Sequence, residues 1–312
     1  MASYYERRAS RPRIGPLITV QRITVLLNPR AGTQDDAAVE RVTEAFGRAR
    51  AGEPEIRIVE GPLVRTAVSD ALAHGSTILV AGGGDGTVSS VASALVGSDA
   101  ALGILPLGTL NHFAKDLGVP LDLDEAVRVV AAGRVVRVDV AEVNGRPFIN
   151  NASVGMYASL IAERQAMQRL GRRKWLAHGL AAARVWRRYH RLHVLLGADG
   201  RQRGVRTPFV FIGNNEYQLS GLELGGRTNL DAGRLHVCMA PGMPRRRVAR
   251  MILVAIFGDV CELEGFEAFT ASEVTLDGGT PRLRVSLDGE VVILDNPLRF
   301  RLRTRALPVI VP

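Results

Sequence analysis

The residues most able to do chemistry stand in one stretch, Leu79-Val80-Ala81-Gly82-Gly83-Gly84-Asp85-Gly86-Thr87-Val88. An apolar run of strand type ends in a cluster of glycines with one carboxylate and one hydroxyl. A helical pattern then begins, with Val88, Val91, Ala92, Leu95 and Val96 on one face. Strand, glycine loop and helix together form a phosphate cradle. Glycines let backbone N–H groups approach an anion, and the helix N-terminus adds positive dipole. Asp85 stands where a metal or a substrate hydroxyl would lie. A tight strand-to-helix turn is the plain structural reading of the same glycines. The loop lacks the Lys-Ser/Thr of a P-loop and the glycine spacing of a dinucleotide fingerprint, so the ligand it suits is a polyphosphate held in another way.

The elements that must position this loop are legible as alternating patterns. Ile23 to Leu27 read as a first strand, closed by the turn Asn28-Pro29-Arg30-Ala31-Gly32. Val39, Val42, Ala45, Phe46 and Ala49 recur at helical spacing, Ile56 to Val59 read as a second strand, and Leu63, Val64, Ala67, Val68, Ala71 and Leu72 mark another amphipathic helix. The glycine loop follows the third strand. Leu102 to Leu105 give the fourth, ending at Pro106-Leu107-Gly108-Thr109. Strands alternating with helices predict a doubly wound α/β domain with a parallel sheet. Ligands then bind beyond the carboxyl ends of the strands. The loops 28–32, 82–87 and 106–111 all follow strands and would meet at that edge.

After about Gly133 the texture changes. Val136, Val138 and Val140 alternate with Arg137, Asp139 and Ala141, as in a half-buried strand. Leu192 to Leu196, Pro208 to Ile212, Leu235 to Met239, Glu273 to Leu276, Leu283 to Leu287 and Leu298 to Leu302 continue as strands of an antiparallel β domain. No Pro- or Ser-rich linker marks the boundary near Arg134, so the two domains are expected to share a cleft.

Composition narrows the class. Among 312 residues, 46% are hydrophobic, which suits a globular chain with a sizeable core. No apolar run approaches the roughly 20 residues of a membrane span. Met1 to Arg13 are polar and Arg-rich and read as a loose tail, not a signal peptide. A net charge of +9, from 40 basic against 31 acidic residues, suits an anionic partner: nucleotide, nucleic acid or acidic lipid surface. Aromatics at 5% argue against a base-stacking platform for nucleic acid. The two cysteines, Cys238 and Cys261, make no disulfide framework and lack metal-ligand spacing, which fits a reducing cytoplasm.

One basic segment interrupts the β pattern. From Glu163 to Arg191 it carries Arg164, Arg169, Arg172, Arg173, Lys174, Arg184, Arg187 and Arg188, interleaved with Met167, Leu170, Trp175, Leu176, Leu180, Val185, Trp186 and Tyr189. A basic amphipathic helix with Trp on its apolar side suits an anionic membrane interface. A helix packed on the β domain with a solvated charged face is the plainer reading.

Five islands now stand in order: Asn28-Pro-Arg-Ala-Gly32, Gly82-Gly-Gly-Asp-Gly-Thr87, Pro106-Leu-Gly-Thr-Leu-Asn-His-Phe113, Phe148-Ile-Asn-Asn-Ala-Ser-Val-Gly155 and Leu287-Asp-Gly-Glu290. In this order the chain resembles the diacylglycerol kinase catalytic-domain family, in its bacterial soluble lipid kinase branch, over roughly Ile23 to the C-terminus. The resemblance implies an N-terminal α/β domain like that of NAD kinases, a C-terminal β-sandwich and ATP in the cleft between them. It divides the chain into a tail at 1–20, a nucleotide-binding domain at 21–133, a substrate domain at 134–300 with a basic helical insert at 160–191, and a C-terminal segment at 301–312 returning to the first domain. It places Asn28, Pro29, Arg30, Ala31 and Gly32, and Gly82, Gly83, Gly84, Asp85, Gly86 and Thr87, at the nucleotide phosphates. Gly108, Thr109 and Asn111 then line the nucleotide site, and Asp288 and Glu290 act at the transferred phosphoryl group. Phosphoryl transfer needs donors around the phosphates, a divalent cation and a group that takes the acceptor's proton. Asp85, Asp288 and Glu290 supply oxygen ligands for Mg²⁺ or the base, and the sequence does not apportion these roles among them. The implied reaction is ATP-dependent phosphorylation of a hydroxyl on a membrane lipid, by a cytoplasmic enzyme touching an anionic membrane face, without nucleic acid. Pairing with a second copy stays open.

The chain departs from the family pattern at two places. His112 stands where the family carries an acidic residue after Asn111. The stretch Asn229-Leu-Asp-Ala-Gly233 has Ala232 where a structural Mg²⁺ ligand would fall, leaving Asp231 as the substitute. An NAD kinase, which also uses a Gly-Gly-Asp-Gly loop, is the alternative within the fold, and Gly213-Asn-Asn-Glu216 is similar to its Asn-Glu motif. A non-catalytic nucleotide- or lipid-binding regulator is the alternative outside enzymes; it predicts loss of acidic groups, yet all three are present.

Overall fold

The structure, a computed structural model, describes residues 22–29, 35–156, 158, 192–217, 226–227, 229–244, 246–247 and 266–312. Arg30, Ala31 and Gly32, the basic segment from Glu163 to Arg191, and Cys261 lie outside the described residues.

Strands β1 (Ile23–Leu27), β2 (Glu55–Ile58), β3 (Ile78–Gly83) and β4 (Ala101–Pro106) pair in parallel in the order β2-β1-β3-β4. Every residue of β1, β3 and β4 is buried, the mark of a parallel sheet covered on both faces. Helix α1 (Asp35–Ala49) packs with α5 (Leu123–Ala132), and α2 (Val64–Ala73) packs with α3 (Asp85–Leu95), as two layers over this sheet. In α3 the buried face is Val88, Val91, Ala92 and Leu95; Val96, at the C-cap, leaves helical geometry but packs half-buried against the same core. The short α4 (His112–Asp116) and α5 escape the apolar pattern read above. Helix α5 begins where the Asp122 carboxylate accepts from the amide of Glu125, 3.0 Å, and ends at Gly133 in the left-handed region.

The rest is β: β5 (Val135–Val143), β6 (Arg146–Phe148), β7 (Asn151–Gly155), β8 (Leu192–Ala198), β9 (Arg201–Thr207), β10 (Phe209–Asn214), β11 (Leu235–Met239), β12 (Glu267–Ala271), β13 (Glu273–Asp277), β14 (Arg282–Leu287), β15 (Glu290–Asp295) and β16 (Leu298–Ile310). An antiparallel sheet, β12-β11-β10-β7-β14-β15, packs on the strands β16-β13-β8-β9 with β5 and β6. Between them lies a core that includes Val154, Ile212, Val237, Val285, Leu298 and the edge-to-face pair Phe148–Phe300. The architecture is an α/β domain followed by a β-sandwich.

One strand joins the two cores. The first part of β16 pairs with β13 in the sandwich, while Val309 near its end pairs in parallel with Leu102 of β4. Between Arg303 and Leu307 the register shifts against β5, and Arg305 takes a positive φ of 50°. Asp139 of β5 holds this bend. Its buried carboxylate accepts from the amide of Arg305 and from that of Gly233, each at 2.8 Å. Asp139→Ala removes the acceptor of two half-buried amides and is expected to cost about 1–3 kcal/mol of unfolding free energy in urea titrations. A loss well below that range would mean that water replaces the carboxylate at the bend.

Candidate active site

The loops at the carboxyl edge of the parallel sheet are bonded into one unit. The Asn28 amide donates to the Gly82 carbonyl, 3.1 Å, and its side-chain amide to the Thr87 hydroxyl, 3.0 Å. The Leu107 amide donates to the Gly83 carbonyl, 3.1 Å. Gly84 and Gly108 meet backbone to backbone: a Cβ on Gly108 would lie 2.3 Å from the Gly84 Cα. Asn111 shapes the second loop from the left-handed region, φ 51°. Its side chain accepts from the Gly108 amide, 3.1 Å, and donates to the carbonyls of Gly108 and Pro106 at 2.9 and 3.3 Å. Asp85, at the start of α3, accepts from the His112 amide, 2.7 Å, and so ties its loop to α4. The side chains of Asn111 and Asp85 therefore serve the loops, and Asp85 has one oxygen without a hydrogen bond among the described residues.

These loops wall a chamber of about 790 Å³, lined among others by Asn28, Pro29, Thr87, Gly108, Thr109 and Glu290. A second chamber of about 480 Å³ adjoins it and shares Gly86, Ser90 and Glu290 with it. Ser89, Arg65, Arg146 and Asp288 line this inner space. Asp288 and Gly289 form the two-residue turn between β14 and β15, both with positive φ, 46° and 85°. The turn is therefore ordinary hairpin chemistry that also carries a carboxylate.

The surroundings of that carboxylate are not ordinary. Oδ1 accepts from the amides of Asn150, 2.8 Å, and Asn151, 3.0 Å; Oδ2 accepts from the Ile149 amide, 2.9 Å, and from the Ser89 hydroxyl. The Asp288 amide donates back to the Asn151 carbonyl, 2.9 Å. Burial pushes the Asp288 carboxyl above its ordinary range, while the Ser89 hydroxyl and the three amides pull it down. Glu290, two residues on, is exposed, faces both chambers and has no side-chain hydrogen bond or ion pair among the described residues.

Ser89 and the amides of 149–151 were not singled out from sequence. The only signal for Ser89 is its place one helical turn after Asp85, on the face opposite the apolar residues. The island Phe148 to Gly155 was noted, but its function as an amide donor is a property of the backbone.

No group of three or more His, Cys, Asp or Glu residues that could hold a metal occurs among the described residues. Asp231 accepts no metal-like company: its carboxylate lies 3.8 Å from Arg305, its amide bonds Asn229, and nearby Asp139 is spent on backbone amides. In the cleft the fit is better. Mg²⁺ prefers one or two carboxylates completed by phosphate oxygens and water, and Glu290, which lines both chambers, is a carboxylate of that kind.

A two-domain kinase of the NAD kinase-like type is the class that this fold and cleft define. Residues 22–143 match the diacylglycerol kinase catalytic domain, and residues 151–311 match the YegS C-terminal NAD kinase beta sandwich-like domain. The chain belongs to the diacylglycerol kinase catalytic-domain family, in its YegS-type branch. It is 32% identical over 305 residues, 95% of each chain, to the Probable lipid kinase YegS-like of Pseudomonas syringae pv. syringae. It is 44% identical over 118 residues to that of Klebsiella pneumoniae, a match covering 36% of this chain and 40% of the relative. A diacylglycerol kinase structure from Bacillus anthracis superposes with a TM-score of 0.65 at 19% identity, and a second structure from that organism with 0.70 at 22%, each covering 94% of this chain and 97% of the other.

The contact between Gly84 and Gly108 generates a test. Gly108→Ala forces the two loops apart and is expected to weaken ATP binding, read by calorimetry, by at least about tenfold, or ~1.4 kcal/mol. Binding equal to wild type would show that the two loops do not act together on the nucleotide.

Proposed function

We propose that the protein transfers the γ-phosphoryl group of ATP to the hydroxyl of a membrane lipid, diacylglycerol or a related lipid alcohol. One observation carries this reading: a carboxylate with raised affinity for protons, held by four donors, sits at the wall of a cleft whose adjoining chamber is built of glycine amides. The family match and the names of the relatives support it. The outer chamber suits the triphosphate, with N–H groups of the 82–87 loop and the hydroxyls of Thr87 and Thr109 as donors. Glu290 and Asp85 would hold Mg²⁺, which when bound neutralises charge on the β- and γ-phosphates. Asp288 acts as general base. It takes the proton of the acceptor hydroxyl as the new oxygen–phosphorus bond forms, and the bond to the β,γ-bridging oxygen breaks to release ADP.

No helix among the described residues is long and apolar enough to cross a membrane. In this reading the acceptor is reached from the membrane surface, and the basic Trp-bearing segment is the stretch whose composition suits that contact.

The test uses radiolabelled ATP with diacylglycerol in mixed micelles. Label in the lipid is expected, and Asp288→Asn should lower kcat by about 10²–10⁴-fold. Label in NAD with none in lipid would replace the proposal with an NAD kinase; a wild-type rate in Asp288→Asn would remove Asp288 from the chemistry.

The pH dependence has a defined sign. The base works ionised, so the acid limb of kcat should lie above the ordinary aspartate value of about 3.9. Ser89→Ala deletes a bond that favours the ionised form, and its acid limb should move to higher pH. A limb that moves down, or stays, contradicts the assignment.

A further inference from the structure

Arg227 is the most fully enclosed cation described in the protein: its side chain has no solvent exposure. Taking a guanidinium out of water costs several kcal/mol unless each donor is met. Here each nitrogen faces acceptors. Nε donates to Oδ2 of Asp116, 2.9 Å, and Nη2 lies 2.7 Å from the same oxygen. Nη1 donates to the carbonyls of Ile149, 2.6 Å, and Asn214, 3.0 Å. Nη2 donates to Oδ1 of Asn150, 2.8 Å. The Arg227 amide donates to the other oxygen of Asp116, 3.1 Å. The rings of Phe113 and Tyr217 lie 5.7 and 5.4 Å from the guanidinium carbon. Five donors in a planar fork are met, an arrangement that lysine, with three donors on a point charge, cannot reproduce.

The partners belong to both domains. Asp116 and Phe113 are in α4, directly after the loop shaped by Asn111. Ile149 and Asn150 belong to the segment that donates to Asp288. One peptide unit links the two ends: its oxygen, the Ile149 carbonyl, accepts from Arg227, and its nitrogen, the Asn150 amide, donates to Asp288 at 2.8 Å. Asn214 grips the same carbonyl with its side-chain amide, 2.9 Å. Hydrogen bonds in series polarise one another, so a cation on the carbonyl makes the amide beyond it a stronger donor.

We infer that Arg227 is a positioning residue for the phosphoryl transfer, fixing and polarising the Ile149–Asn150 peptide that holds Asp288 and bracing it against α4 through Asp116. The inference rests on the lipid kinase reading for its kinetic consequence, but its structural content does not. The relay runs from the Asp116 carboxylate through the guanidinium and one peptide to the Asp288 carboxylate. It joins α4, which follows the 107–111 loop, to the base. It also accounts for a buried ion pair at a place where two apolar side chains would have packed more cheaply.

The full chain carrying Arg227→Lys tests this in two ways. Hydrogen exchange, read by mass spectrometry, is expected to quicken at Ile149, Asn150 and Asn151 by about tenfold or more, while strands β1, β3 and β10 keep wild-type protection. In the kinase assay kcat should fall while KM for ATP stays within about threefold. If the lysine variant does not fold, Asp116→Asn, which keeps the arginine, is read by the same exchange, again with the change confined to 149–151. Wild-type exchange at 149–151 in a folded variant overturns the inference, as does a loosening spread evenly over the sandwich. Should the wild-type protein label no lipid at all, the functional proposal fails by itself, and the exchange result still decides whether Arg227 sets the donor peptide.

Discussion

A carboxylate shielded from water must be met by donors, and the donors of Asp288 come from both halves of the molecule. Ser89 belongs to α3 of the α/β domain, while the amides of Ile149, Asn150 and Asn151 belong to the sandwich. A hydrogen bond tolerates only tenths of an ångström, so this one side chain fixes how near the two domains stand. The width of the cleft and the position of its reactive group are thus one constraint. Strand β16, running through both cores, and the bend pinned by Asp139 make that spacing a property of the backbone.

The α/β half was legible because its strands are short, three of the four are fully buried and largely apolar, and helical periods separate them. The run Leu79 to Gly83 and the face Val88, Val91, Ala92 and Leu95 state their burial directly. The sandwich was legible where one face is apolar, as in Leu235–Met239. It was not legible at β9, Arg201–Thr207, whose residues are mostly exposed and of which only Val205 and Thr207 are buried. Helices α4 and α5 were missed because α4 spans a single turn and α5 has only Ala126, Val127 and Val130 buried. The strand Glu290–Asp295 was hidden for a related reason: it lies at a sheet edge, and Ile293 is exposed.

The site was legible as residue types but not as assignments. Three carboxylates were named without apportioning them, because spacing along the chain says nothing about which oxygen atoms are already taken. The hydrogen-bond inventory separates them. Asp288 has both oxygens committed, so its affinity for protons is set by its neighbours. Asp85 has one oxygen committed to the His112 amide, which makes it a brace between its loop and α4. Glu290 has neither committed among the described residues, and its side chain lines both chambers.

The same inventory explains the glycines and asparagines around the cleft. A loop that offers amides to an anion cannot spend them on itself, so its shape must be held by other means. Gly84 against Gly108 does this by close approach, and Asn111 does it with a side chain that imitates a peptide, accepting from one amide and donating to two carbonyls. Asn28 plays the same part for Thr87. The amide side chains thus fold the loops, the backbone amides of 149–151 hold the Asp288 carboxylate, and Glu290, without a partner among the described residues, faces both chambers. A substitution at any of these asparagines changes the shape of the cleft before it changes its charge, so sites of this kind reveal themselves in hydrogen-bond geometry sooner than in composition.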